Sequence, residues 1–198
     1  MADLASKICN QISSVFTTST SPYPPPLDLL VTEIAAIRNR NSRVFLYGVG
    51  REGLMLKAFA MRLSHLGLSA HVVFDMITPP ISSSDLLIAS AGPGGFSTVD
   101  AICSVAKSNG AKVLLLTSQP ETGSCLKHAT DVCYVPAQTM ASDNDGGDAG
   151  EIGEKRLLPM GSVYEGALFV LFEMVVYKLV DVLGETPQSV RARHTNLE

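Results

Sequence analysis

Val44-Phe45-Leu46-Tyr47 is apolar at every position, stops at Gly48, and gives way to a helical pattern from Gly53 to His65. A strand with no polar alternation must be covered on both faces. The unit recurs. Ala70–Phe74, Asp85–Ser90, Lys112–Thr117 and Asp131–Val135 read as strands. Between them lie a helix over Ser97–Asn109, closed by Gly110, and a short helix over 121–129. Such strand–helix alternation predicts an α/β fold built on a parallel sheet, because parallel neighbours need crossover helices.

The flanks are helical. Leu4, Ile8, Ile12, Val15 and Phe16 share one face of a helix over 2–16. Residues 17–26, Thr-Thr-Ser-Thr-Ser-Pro-Tyr-Pro-Pro-Pro, form a stiff spacer, since proline lacks the donor and restricts its neighbour. A Pro-rich docking peptide is the alternative. Asp28 is placed to cap a second helix running to about Asn41. Residues 1–41 thus read as N-terminal additions to a unit spanning 42–198. Residues 141–156 are acidic and glycine-rich and read as a loop. Asp143, Asp145 and Asp148 miss the spacing of a calcium loop. Pro159–Leu183 is the longest helical segment, apolar nearly all round, which predicts burial between the sheet and another subunit. A tail from Thr186 carries Arg191, Arg193 and His194.

Composition narrows the partners. The net charge is −4, with no block of Lys and Arg to displace counterions, so nucleic acid is not expected. No apolar run approaches the ~20 residues of a membrane span. Cys9, Cys103, Cys125 and Cys133 show no paired metal spacing. They read as free thiols in a reducing compartment, the cytoplasm. Only 17% of residues are charged, so part of the surface is expected to be covered by other subunits.

Two glycine loops carry the chemistry. Gly48-Val49-Gly50-Arg51-Glu52-Gly53 and Ser90-Ala91-Gly92-Pro93-Gly94-Gly95-Phe96-Ser97-Thr98 each join a strand to a helix. Glycine lets backbone N–H groups approach an anion, and the helix N-terminus adds a favourable field. A dinucleotide-binding fold would claim the first pattern too. No acid ends the second strand in the position of a ribose clamp, Asp75 being an early candidate.

Gly48-Val-Gly-Arg-Glu-Gly, Phe59-Ala-Met-Arg-Leu-Ser-His-Leu-Gly67, Thr78-Pro-Pro-Ile81, Pro159-Met-Gly-Ser-Val-Tyr-Glu165 and Ala192-Arg-His194 resemble, in order and spacing, the 6-phospho-3-hexuloisomerase family of SIS (sugar isomerase) domains. The resemblance implies a three-layer fold: a five-stranded parallel sheet flanked by helices, with flavodoxin-like winding. It implies a homotetramer or homodimer with sites between subunits. It also implies isomerisation of a phosphorylated ketose through an enediolate, without metal or organic cofactor. Glu165 matches the position of the general base, a role that burial favours by raising a carboxyl pKa. His194 matches the family's terminal histidine and would move protons among sugar oxygens. Arg51 would hold phosphate or polarise a sugar oxygen, its alternative being an ion pair with Glu52. Gly48, Gly50, Ser90, Gly92, Gly94, Ser97 and Thr98 would line the phosphate site.

The chain departs from the family in both loops. Where the family's second loop reads Ser-Gly-Ser-Gly-Glu-Thr-Thr, this chain has Ala91-Gly-Pro-Gly-Gly-Phe-Ser97, and Glu52 replaces a serine in the first. A carboxylate at 52 would repel phosphate unless it turned away. Two other readings therefore stand beside the isomerase: a phosphosugar-binding or regulatory module without turnover, and a structural oligomer with Pro93 and Phe96 filling the cleft.

Overall fold

The computed structural model describes residues 1–143 and 157–197. Five strands form one sheet: β1 (Arg43–Gly48), β2 (Ser69–Val72), β3 (Leu86–Ser90), β4 (Lys112–Thr117) and β5 (Asp131–Tyr134). Their order is β2-β1-β3-β4-β5, and every neighbouring pair is parallel. β1 and β3 pair from Val44↔Leu86 to Gly48↔Ser90. The chain leaves β1 toward one edge of the sheet and leaves β3 toward the other. The loops after these two strands therefore diverge and open a crevice at the carboxyl edge.

The helices are α1 (Ala2–Ser14), α2 (Pro26–Arg40), α3 (Gly50–His65), α4 (Ser97–Ser108), α5 (Ser162–Val182) and α6 (Pro187–Ala192). Val44, Leu46, Leu86, Ile88, Leu114 and Leu116 pack into one core with α2, α3 and α5. Phe45, Tyr47, Leu87, Ala89, Val113 and Leu115 pack into a second with α4. Successive strand residues point to opposite faces and both faces are buried, so the strands carry no polar alternation. Phe59 of α3 stacks face to face on Phe172 of α5, with centroids 4.3 Å apart.

Local chemistry moves several boundaries. α2 begins at Pro26 with Pro25 before it, and Asp28 lies within the first turn instead of capping it. Proline's fixed φ suits the first helical position, and the acid there favours the helix dipole. α3 starts at Gly50, not Gly53, because Gly50 supplies a φ of +57° at the turn. β2 stops at Val72, and Phe74 has a φ of +76°. Residues 121–129 form only a 3₁₀ turn, at Ser124–His128. The long helix begins at Ser162, after the left-handed Gly161. The tail contains a helix, α6, started by a capping box between Thr186 and Ser189. The Pro-rich spacer is tied down by the Tyr23 hydroxyl, which donates to the Pro120 carbonyl at 3.1 Å. The acidic loop lies outside the described residues from 144 to 156. Among the described residues no helix is long and apolar enough to cross a membrane.

Asp85 anchors the amino edge of the sheet. Its buried carboxylate accepts from the Arg43 and Ser82 backbones and from the Arg43 guanidinium, at 2.8 to 3.2 Å. Burial alone would raise its pKa, but the bonds from Arg43 and Ser82 outweigh that and hold it below the ordinary 3.8. Stability from a depressed carboxyl is present above the unfolded pKa and lost as pH falls through the folded one. Asp85→Asn is expected to cost about 2–3 kcal/mol in urea unfolding at neutral pH. The gap to wild type should close below about pH 3.8.

Candidate active site

The first glycine loop is shaped by packing. A Cβ on Gly53 would lie 2.4 Å from the Gly48 carbonyl oxygen, and one on Gly48 would lie 2.9 Å from Leu56 Cδ1. These two glycines seat α3 against β1. Gly50 has open space around it and faces the crevice mouth. The second loop is engaged elsewhere over half its length. Cβ atoms on Gly94 and Gly95 would strike Gln119, Gly123 and Ser124, so these glycines let the loop dock on the segment after β4. Ser97 and Thr98 are exposed and do not line the crevice.

The crevice is a cavity of about 290 Å³ between the α3 N-terminus, the β3–α4 loop and the α5 N-terminus. Glu165, in the first turn of α5, reaches it with a side chain only 16% exposed. Arg51 Nη2 lies 2.9 Å from Glu165 Oε2. The hydrogen bonds of Arg51, however, go to Ser162 Oγ at 2.9 Å and the Met160 carbonyl at 2.7 Å. Among the described residues, Glu165 Oε2 is buried and accepts no hydrogen bond. Burial raises the Glu165 pKa above the ordinary 4.5, and Arg51 opposes part of that rise. The result is a carboxylate of raised basicity that is ion-paired with Arg51 but accepts no hydrogen bond among the described residues. Thr139 Oγ1, likewise buried and unpartnered among the described residues, lines the same cavity.

The second carboxylate, Glu52, turns inward and is 7% exposed. Ser90 Oγ donates to its Oε2 at 2.6 Å, and the Gly92 N–H donates to the same oxygen at 3.0 Å. Tyr164 Oη lies 3.2 Å from Ser90 Oγ and completes the network. Burial raises the Glu52 pKa, the bonds from Ser90 and Gly92 lower it, and the charge of Glu165 adds to the rise.

No protein-family model matches the chain. A Bacillus subtilis protein named 3-hexulose-6-phosphate isomerase is 35% identical over 156 residues, covering 79% of this chain and 80% of the relative. The chain belongs to the 3-hexulose-6-phosphate isomerase family. A Mycobacterium gastri relative of the same name is 34% identical across 99% of this chain and 92% of its own. In Methanococcus jannaschii, a protein for which the molecular function of a 3-hexulose-6-phosphate isomerase was inferred has a crystal structure similar to this fold. The TM-score is 0.77 at 25% identity, covering 96% of this chain and 97% of that one.

The isomerase-family positions named from sequence separate in space. Gly50, Arg51 and Glu165 line the cavity. Ser90 and Gly92 reach it only through Glu52, which holds their donors. Gly48 and Gly94 are packing residues. Arg51 pairs with Glu165 and not with Glu52. His194 is exposed in an open groove of about 820 Å³ near Met61, Arg62 and His65, its ring 5.2 Å from that of His65. This groove is the larger hollow, and the smaller cavity is the one that holds Glu165 and its ion-paired Arg51. Gly50 and His65 are the two ends of α3, roughly 22 Å apart at 1.5 Å per residue, so Glu165 and His194 do not meet within one chain. Pro93 and Phe96 line the cavity and narrow it without filling it. Thr139 and Tyr164 also line the cavity; Tyr164 stands inside the Pro159–Glu165 motif but, like Thr139, has no spacing of its own that marks chemistry.

Proposed function

We propose that the chain is a sugar-phosphate isomerase acting on a phosphorylated ketose, with Glu165 as its general base. The observation that carries this reading is Glu165 Oε2, buried at the cavity beside Arg51 with no hydrogen bond among the described residues. Glu165 would take the proton from the carbon beside the carbonyl. The C–H electron pair would form the enediolate double bond while the carbonyl oxygen took up negative charge. Arg51, 2.9 Å from Glu165, is positioned to stabilise that oxygen or a nearby phosphate. Returning the proton to the former carbonyl carbon, with exchange of the hydroxyl proton, completes the isomerisation.

We further infer that the active form is a homo-oligomer in the cytoplasm. Phe169 and Tyr177 of α5 are 54% and 71% exposed, and Leu54 and Met61 of α3 are also uncovered. Such apolar surface supports an interface between copies, through which the partner subunit's His194 would approach the cavity. Light scattering after size exclusion tests the assembly.

The function is tested with a panel of hexulose and pentulose phosphates in deuterated water. Isomer exchange with deuterium entering the sugar is expected, and its absence across the panel overturns the isomerase reading. One observation favours a second reading, a phosphosugar-binding module without turnover: Ser90 and Gly92 are already taken by Glu52. Thermal stabilisation by a phosphosugar with no exchange would establish it. Because burial raises the Glu165 pKa above 4.5, the acid limb of kcat/KM should fall above pH 4.5, as the base is lost to protonation. A pH–rate profile checks this.

A further inference from the structure

Glu52 is a buried carboxylate that the isomerisation just described does not use, and it occupies the place where a ligand's anion would be expected. A hydroxyl and a main-chain amide at the carboxyl edge of a parallel strand, next to the point where strand order reverses, are anion-binding donors. Here both are filled from within the chain. Ser90 Oγ and the Gly92 N–H converge on Glu52 Oε2 at 2.6 and 3.0 Å, and the Gly92 N–H also lies 3.3 Å from Oε1. Gly92 has no room to be anything else: a Cβ there would lie 2.8 Å from the Tyr164 ring and 3.0 Å from Glu52 Oε1. The fit is therefore built into three separate elements, α3, β3 with its loop, and α5.

We propose that Glu52 is a specificity-determining residue, an internal carboxylate that keeps a phosphate group off the Ser90 and Gly92 donors unless it is neutral or removed. The proposal rests on the phosphosugar reading of the same cavity and assigns the ends of the ligand. Its phosphate lies toward Gly50 and Arg51 at the mouth, and a hydroxyl-bearing carbon faces Glu52. The groups facing Glu52 support this. From α5 come Glu165, a second negative charge, and Tyr164, whose hydroxyl is pushed well above its ordinary range, chiefly by burial, and stays neutral. From β5, Cys133 stands behind Tyr164 as a neutral thiol, its pKa raised by burial. The adjacent cation, Arg51, is turned onto Glu165, Ser162 and Met160. Two carboxylates and one guanidinium leave the inner end of the cavity unfavourable for a dianion but suited to hydroxyl donors.

The test is direct binding, independent of turnover. Inorganic phosphate and a hexulose phosphate are titrated by calorimetry into wild type, Glu52→Gln and Glu52→Ser across a pH series. The glutamine removes the charge and keeps the shape, and the serine removes the charge and most of the side-chain volume while leaving a hydroxyl. Circular dichroism confirms that both fold. Near pH 8 the variants are expected to bind inorganic phosphate at least about tenfold more tightly than wild type. That ratio should shrink as pH falls and Glu52 takes up a proton. The titration of the ligand itself is common to all three proteins and cancels, and repeating the series in a Glu165→Gln background removes the titration of Glu165, whose charge acts on Glu52. Ratios near one at every pH, with wild type binding the phosphosugar, overturn the role of Glu52 alone. No binding of either ligand by any of the three overturns it together with the phosphosugar reading.

Discussion

Glu165→Gln is expected to lower isomer interconversion by about 10²–10⁴-fold, the range that a positioned general base contributes. The substitution keeps the side-chain volume and removes only the basic lone pair and the charge. Because Glu165 Oε2 holds no hydrogen bond within the described residues, the amide costs only the half-exposed ion pair with Arg51, so the fold should survive. Arg51 keeps its bonds to Ser162 and Met160. It loses the nearby charge of Glu165, so phosphosugar affinity should hold or improve while kcat collapses. Rates with a hexulose phosphate, paired with a binding titration, separate the two effects. A variant that keeps wild-type kcat would remove Glu165 from the chemistry.

Phe59→Ala is expected to give the largest loss of stability, about 3–5 kcal/mol. Phe59 is 1% exposed and stacks at 4.3 Å on Phe172. Alanine leaves a cavity that the sheet beneath and α5 above cannot both close. With marginal stabilities of about 5–15 kcal/mol, that is a large fraction of the total. At about 2–4 °C per kcal/mol for a chain of this size, the midpoint should fall by roughly 6–20 °C. The loss should also reach the site. Phe59 and Phe172 join α3, which carries Arg51 and Glu52, to α5, which carries Tyr164 and Glu165. Calorimetric melts measure the first effect, and the KM of the residual folded enzyme measures the second. A midpoint within two or three degrees of wild type would mean that the two helices are held by other contacts.

The altered β3–α4 loop gains a physical account from the packing. Its glycines at 94 and 95 meet Gln119, Gly123 and Ser124, and its glycine at 92 meets Tyr164 and Glu52. The loop is thus filled from both sides by the chain's own groups. The two departures noted in the sequence, Glu52 and the second loop, are one structural event: the carboxylate that replaces a serine in the first loop supplies acceptors for donors in the second.

The sheet and its crevice were legible in the linear chain because their signals are local. Apolar runs without alternation, glycine exits and helical spacing each occupy fewer than about twenty consecutive residues, and they placed all five strands and the helices α1–α5. The flavodoxin-like winding came through resemblance, and the fold has it in the order β2-β1-β3-β4-β5. Tertiary structure alone decided which groups meet. Glu52 finds Ser90 and Gly92 across 38 and 40 residues, and Arg51 chooses Glu165 over its neighbour in sequence. Thr139 brings to the cavity a hydroxyl with no partner among the described residues, and His194 lands at the far end of α3. Such pairings depend on how elements distant along the chain are brought together, and no window of sequence contains both partners.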